Sequence, residues 1–288
     1  FAQVTNPAID SIREELVMTL TSFIGPQRNL LEESALHCRR LKVLHPVLRP
    51  AELERIKAWE DPDFRTETLD ASFYVPSHPA QSTAAAGTKN GKTAAKAAEP
   101  AVSSLKQTLS RLVSEAVEAV RGGTSLLILS DRAALDGEAG RCAVPALLAV
   151  GAVHHGLIDA GLRMNASIIL ESAEPREVMH FALLFGYGAD LVVPYGALAC
   201  IAAISEKGQS SLNYEQAEKN YLKAIQKALL KIMSKMGTST LRSYRGSQIF
   251  EAVGLGPDVI NTCFKGTTSR IGGAGFSELE AEAVSRYR

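Results

Sequence analysis

Ser130, Asp131 and Arg132 follow an unbroken apolar run, SLLILS, where parallel α/β folds deliver functional side chains: the carboxyl end of a strand. An aspartate there could serve as an acid or base. Position alone is weak evidence, and an Asp–Arg pair with a serine closing the turn is the simpler reading. Glu171, Glu174 and Arg176 recur in the same way after a second run, ASIILE. Two carboxylates can divide acid and base work when one is desolvated and their separation is fixed. Nothing in the sequence fixes either, so an ion-paired loop is preferred.

His154, His155 and His180 raise the question of a metal. Neighbours on a helix point about 100° apart, so His154 and His155 cannot both face one ion. Of the residues three and four positions on, only Asp159 could ligate. Catalytic zinc needs three convergent ligands, so packed or capping histidines fit better. Lys219, Lys223, Lys227, Lys231 and Lys235 fall every fourth residue, a row that drifts about 40° per step around a helix. A solvated face explains it, with Glu215 supporting Lys219; docking of an acidic partner is the functional alternative.

Other chemistry is sparse. Gly87-Thr88-Lys89-Asn90-Gly91-Lys92-Thr93 imitates a phosphate-cradling loop but has one residue too few between its glycines, and no strand leads into it. There is no GxGxxG, GxSxG or HExxH motif. Cys38, Cys142, Cys200 and Cys263 are scattered, without the spacing of a metal finger or an iron–sulfur cluster, and a reducing compartment is expected. Lysine plus arginine equals aspartate plus glutamate, 31 against 31, so no global field draws nucleic acid or an acidic membrane. No stretch reaches the roughly 20 apolar residues of a membrane span. The opening FAQVTNPAID has neither a start methionine nor a signal pattern, as expected of a fragment or processed product.

The elements that must position these residues emerge from about residue 103. A helix over SSLKQTLSRLVSEAVEAVR ends at Gly122-Gly123. Strands are predicted at 125–130, 166–171 and 189–195, and helices over Pro145–Asp159, Pro175–Tyr187 and about 213–236. Continuous apolar runs mark strands buried on both faces, and short helical crossovers between them imply a mostly parallel sheet. On the long helix, Tyr214, Ala217, Tyr221, Ile225, Ala228, Leu229 and Ile232 are read as the apolar face, and Ser277 to Glu280 as the capping box of the last helix. Residues 1–76 read as a helical entrance segment, with Leu16, Leu20, Phe23 and Ile24 continuing one face of its first helix. Residues 77–100 read as a disordered insertion, and 101–288 as α/β core and helical tail.

Long blocks then carry a resemblance. VGAVHHGLIDAGLR (150–163), REVMHFALLFGYGADLVVPY (176–195) and KIMSKMGTSTLRSYRGSQIFEAVGL (231–255) resemble the central domain of glutamate synthase. TNPAIDSIREELVMTL (5–20) and FKGTTSRIGG (264–273) resemble its two ends, leaving only the 77–100 insertion outside. The resemblance implies an α/β topology like a reduced TIM barrel. It implies that this chain lies between two domains: a glutamine amidotransferase domain with an N-terminal cysteine nucleophile, and a synthase domain holding FMN and a 3Fe-4S cluster. The second uses the released ammonia to turn 2-oxoglutarate into glutamate. The chain would help enclose the ammonia tunnel, with Thr5, Asn6 and Ile9 as lining residues, and would hold no cofactor, metal or catalytic residue of its own. Electrons would come from ferredoxin or from a nicotinamide-oxidising FAD domain or subunit, in plastid stroma or cytoplasm. Gly156 stands where the family commonly has a further histidine. Two alternatives stand beside this: a barrel-like enzyme using Asp131 and Glu171, and a module docking an acidic electron donor through Lys223 and Lys227.

Overall fold

The computed structural model describes residues 11–75, 104–135, 140–209 and 211–287. The 77–100 segment and its imitation phosphate loop lie outside the described residues, as do Thr5, Asn6 and Ile9.

Strands as well as helices build the entrance segment, which corrects its reading as helices and loops. Helix α1 spans Ser11–Val17 and ends sooner than expected. Leu16 points to solvent, while Phe23 and Ile24 belong to strand β1 (Ser22–Ile24), antiparallel to β2 (Leu41–Val43). Thr19 has left the helix to bridge Thr240. Helix α2 (Pro50–Lys57) starts on a proline, whose missing N–H costs nothing in a first turn, and the Glu52 carboxylate accepts from the Arg49 N–H at 2.8 Å. Strands β3 (Thr66–Asp70) and β4 (Ser72–Tyr74) follow. Within β3 only Leu69 is buried, so the text TETLD carries no apolar run to announce a strand.

The predicted core elements are all present. Helix α3 is Ser104–Arg121, β5 Leu126–Ser130, β6 Arg141–Ala143, α4 Ala146–Asp159 and β7 Ser167–Glu171. Helix α5 (Val178–Gly186) leads to β8 (Leu191–Val193), which is shorter than the expected 189–195, and α6 (Tyr195–Glu206) starts at Tyr195. Helix α7 (Tyr214–Lys235) buries Leu222, Ile225, Leu229 and Met233, one face at three- and four-residue spacing. Tyr214, assigned to that face from the sequence, is 40% exposed. The short helix α8 (Leu241–Tyr244), strand β9 (Glu251–Leu255), helix α9 (Pro257–Cys263), strand β10 (Thr268–Ala274) and helix α10 (Phe276–Arg286) complete the chain. Helix α10 is closed by Glu278, which accepts from the Gly275 N–H at 2.8 Å. Glu280, expected in the cap, instead caps α3 by accepting from Ser104 Oγ and the Leu105 N–H.

The principal sheet has four parallel strands in the order β3-β5-β7-β8. Each strand lies beside its successor and helices cross between them, the topology of an incomplete α/β barrel. On one face Leu127, Leu129, Ile168, Leu170 and Val192 pack beneath the helices in the larger core. On the other, Leu126, Ile128, Ile169, Leu191 and Val193 meet Ile24, Leu48, Leu53 and Phe64. The entrance segment thus covers the face that a full barrel would turn inward, and its Val47 bridges β8 at Val192.

Close approach in the helical layer sets one requirement. A Cβ on Gly151 of α4 would lie 2.2 Å from the Cys263 carbonyl oxygen at the end of α9. Backbone cannot yield cheaply, so Gly151→Ala should lower stability by about 1–3 kcal/mol in urea denaturation. Gly272→Ala, with open space around the added carbon, should stay within about 0.5 kcal/mol of the parent.

Candidate functional site

The ends of β5, β7 and β8 bring Asp131, Glu171 and Tyr195 together, and both carboxylates are occupied by donors. Asp131, buried, accepts from Tyr195 O–H at 2.5 Å, from Ser172 Oγ–H at 2.6 Å and from the Ala173 N–H at 3.1 Å. Burial pushes its carboxyl above the ordinary range, and the three donors pull against that rise. Burial, together with the bond to Asp131, drives the Tyr195 phenol up as well. Glu171, only 1% exposed, accepts from Arg132 Nε at 2.5 Å and Ser130 Oγ at 2.9 Å, with Lys57 Nζ at 3.5 Å. Burial raises its carboxyl, but the Arg132 and Ser130 bonds and the charges of Arg132 and Lys57 bring it below its ordinary value. The Arg132 guanidinium lies 4.1 Å from the centre of the Tyr195 ring.

The pairing differs from the one expected: Arg132 meets Glu171 rather than Asp131, Asp131 accepts from neutral donors only, and three residues that sequence reasoning missed take part. Tyr195 and Ser172 complete the shell of Asp131, and Lys57 comes from α2. The only sequence signal was a tyrosine and a serine at strand ends. Glu174 does not join the pair: it accepts from the Ala146 N–H at 2.7 Å, capping α4, and faces Arg286 at 3.5 Å. Burial raises its carboxyl too. Arg176 is elsewhere again, its backbone N–H donating to His180 Nδ1 and its carbonyl accepting from Tyr221 O–H. Each strand-end carboxylate is held by donors from neighbouring elements, an arrangement that locks the loops together.

The histidines take structural roles. His154 is buried and accepts from Arg163 Nε at 2.9 Å through Nδ1. The same arginine donates to Asp190 at 2.9 Å and to the Gly188 and Ala166 carbonyls, while Arg245 Nη1 meets the other Asp190 oxygen at 2.6 Å. Burial, then the charge of Arg163, lowers His154 to about 3, so it remains a neutral acceptor. His155, on the neighbouring face, is also lowered by burial and by Lys265. His180 caps α5, accepting from the Arg176 and Glu177 N–H groups. Among the described residues no group of three or more His, Cys, Asp or Glu is arranged to hold a metal. None of their helices is long and apolar enough to cross a membrane.

The lysine row of α7 is divided. Lys227 and Lys231 face Glu15 and Glu14 of α1 at 3.9 and 3.6 Å, whereas Lys219 and Lys223 border a groove against α2. Thr5, Asn6 and Ile9 lie outside the described residues, so their surroundings are not part of this geometry.

A family model described as the glutamate synthase central domain matches residues 1–256. The large chain of an NADPH glutamate synthase from Bacillus subtilis is 40% identical over 288 residues, all of this chain and 17% of that protein. A ferredoxin-dependent glutamate synthase from Pyropia yezoensis is 41% identical over 99% of this chain and 17% of its own length. An NADH glutamate synthase from Schizosaccharomyces pombe is 39% identical, covering 100% of this chain and 13% of that protein. The chain therefore spans less than a fifth of each of these relatives. Among solved structures, a flavocytochrome b2 variant with sulfite bound covers 54% of this chain and 39% of its own at 14% identity and a TM-score of 0.36, too distant to bear on the site.

The histidine geometry fixes a pH dependence. A histidine held at about 3 when folded and near 6.5 when unfolded takes up its proton preferentially in the unfolded chain, so acid destabilises between those values. Lowering the pH from 7.5 to 5.5 should remove about 1.4 kcal/mol through His154 alone. In His154→Gln, less stable at pH 7.5, urea denaturation should show a pH loss smaller by about that amount.

Proposed function

The chain belongs to the family of glutamate synthase central domains, and from that premise we propose that it is a non-catalytic spacer between the amidotransferase and synthase domains of its parent enzyme. In that role it would help enclose the path along which ammonia passes between them. The observation that carries the reading is the saturation of the strand-end carboxylates. Asp131 and Glu171 stand where an α/β enzyme would keep its acid and base, and each is engaged by donors from neighbouring loops. The same saturation disfavours a stand-alone barrel-like enzyme. What remains useful is rigidity: a sheet clamped at its carboxyl end can hold two flanking domains at a fixed separation.

The cofactors of the reaction would reside in the parent's synthase domain. The cysteines of this chain do not suit a cluster. Cys263 is buried with its thiol pushed up to about 12, whereas an iron ligand is a thiolate, and Cys38 and Cys200 are exposed at separate places. Held in that synthase domain, FMN would supply reducing electrons for forming glutamate from 2-oxoglutarate and ammonia. This chain's part would be to keep ammonia from bulk water. For Thr5, Asn6 and Ile9 the supporting argument is chemical: a small neutral solute moves along hydrogen-bonding groups that carry no trapping charge. Relatives named as NADPH-, NADH- and ferredoxin-dependent glutamate synthases share this segment at similar identity, which supports a role that does not depend on the electron donor.

Two outcomes follow. The 288-residue chain, purified alone, should show no flavin absorbance and no turnover of glutamine or 2-oxoglutarate; either signal would sink the spacer reading. In the parent enzyme, Asn6→Leu should leave glutamine hydrolysis nearly intact while ammonia released to solution rises at least about tenfold over glutamate formed, a loss of guidance comparable to misplacing a reactant. Unchanged coupling would remove Asn6 from the path.

A further inference from the structure

A groove of about 840 Å³ runs between α2 and α7. Its apolar part comes from Val43, Ile56 and Leu222, with Leu44 and Trp59 at the rim, 61% and 41% exposed. Trp59 is held upright by stacking on Phe64 at 4.7 Å, so it presents a fixed aromatic surface. Around this floor stand Lys42, Arg49, Arg55, Lys219 and Lys223, and one carboxylate, Glu52. Arg49 is engaged by Glu218 at 2.8 Å and faces Glu52 at 3.7 Å, while Glu52 also accepts from the Arg49 N–H. Lys42, Arg55, Lys219 and Lys223 make no ion pair among the described residues. Four cations thus surround an apolar trough whose single acid is already taken.

We propose that this groove docks an acidic, amphipathic segment of a separate partner protein. An apolar stripe on the partner would cover Leu44, Trp59 and Ile56, and flanking carboxylates would meet the four cations. Charge complementarity selects the occupant. The chain's own 77–100 segment carries Lys89, Lys92 and Lys96 against one acid, Glu99, and would be repelled. The character of the rim favours a partner that comes and goes. Lysines are depleted in interface cores, so these belong to a rim, where charges speed encounter and leave affinity to a small apolar centre. Lys219 and Lys223 lie one helical turn apart and present their charges in one direction, as steering requires.

The test uses the intact parent enzyme and a labelled helical peptide with leucines on one face and glutamates on the other, read by fluorescence anisotropy. Saturable binding is expected, weakened at least about tenfold between roughly 50 and 500 mM salt. The same loss is expected from Lys219→Glu with Lys223→Glu, which alter exposed positions of α7, and a several-fold loss from Leu44→Ser; thermal melts establish that each variant is folded. Equal binding of a leucine-free polyglutamate would show that the apolar floor plays no part and overturn the proposal. So would absence of binding with Lys219 and Lys223 shielded from acetylation, which would assign the groove to another domain of the parent. A change of oligomeric state in the double charge reversal would assign it to a second copy and likewise overturn it.

Discussion

Asp190 enters β8 with both oxygens engaged. One takes the Ile168 N–H at 2.8 Å and Arg163 at 2.9 Å, and the other takes Arg245 at 2.6 Å. A carboxylate this buried survives charged only when cations and donors surround it, and Arg245 and Arg163 hold it below its ordinary value against the pull of burial. Arg163 then reaches His154 in α4, and Arg245 donates to the Ala189 carbonyl from beyond α8. Gly188 lets this happen: at φ +122, a Cβ would fall 2.4 Å from His154 Nδ1. Strand entry, helix and following turn are therefore fixed relative to one another by one buried charge.

That clamp matters because hydrophobicity alone cannot set the register of this sheet. A strand with one wet face is penalised when it slips by a residue; a strand buried on both faces, such as LLILS in β5, is apolar at nearly every position. Polar groups at the two ends supply the missing discrimination. At the amino end Asp190 pins β7 to β8. At the carboxyl end Ser130 donates to Glu171, and Ser172 and Tyr195 donate to Asp131, tying β5 to β7 and to the start of α6. Buried ion pairs are a weak source of net stability, so their value here lies in specifying one alignment. Sequence, register and rigidity meet in those few side chains.

The same physics decides what the sequence could reveal. Strands β5, β7 and β8 were legible because burial on both faces writes a continuous apolar run, and α4 and α7 because their lengths and stops are plain. Strand β3 was not, because an edge strand buries little, and TETLD reads as loop. The positions of Asp131, Arg132 and Glu171 followed from strand ends, but their partners did not: Ser172 and Tyr195 lie 41 and 64 residues from Asp131, and nothing local joins them. His154 is packed rather than ligating, as its spacing implies, but its role as an acceptor for Arg163 is one that only the fold exposes. Identification rested on long blocks rather than on any chemical motif, as suits a segment whose polar groups serve the fold.

The entrance segment gives the architecture its last constraint. A complete barrel fills its interior with side chains from all its strands. Four strands cannot close, so their second face must be covered by something else, and Ile24, Leu48, Leu53 and Phe64 cover it. The face that lines the interior of a complete barrel is thereby closed by apolar side chains. Phe64 makes the connection visible: one aromatic ring is buried against the sheet and also supports Trp59 at the exposed groove. The segment that substitutes for the missing strands is the one that shapes the outer surface, so packing and recognition are carried by the same residues.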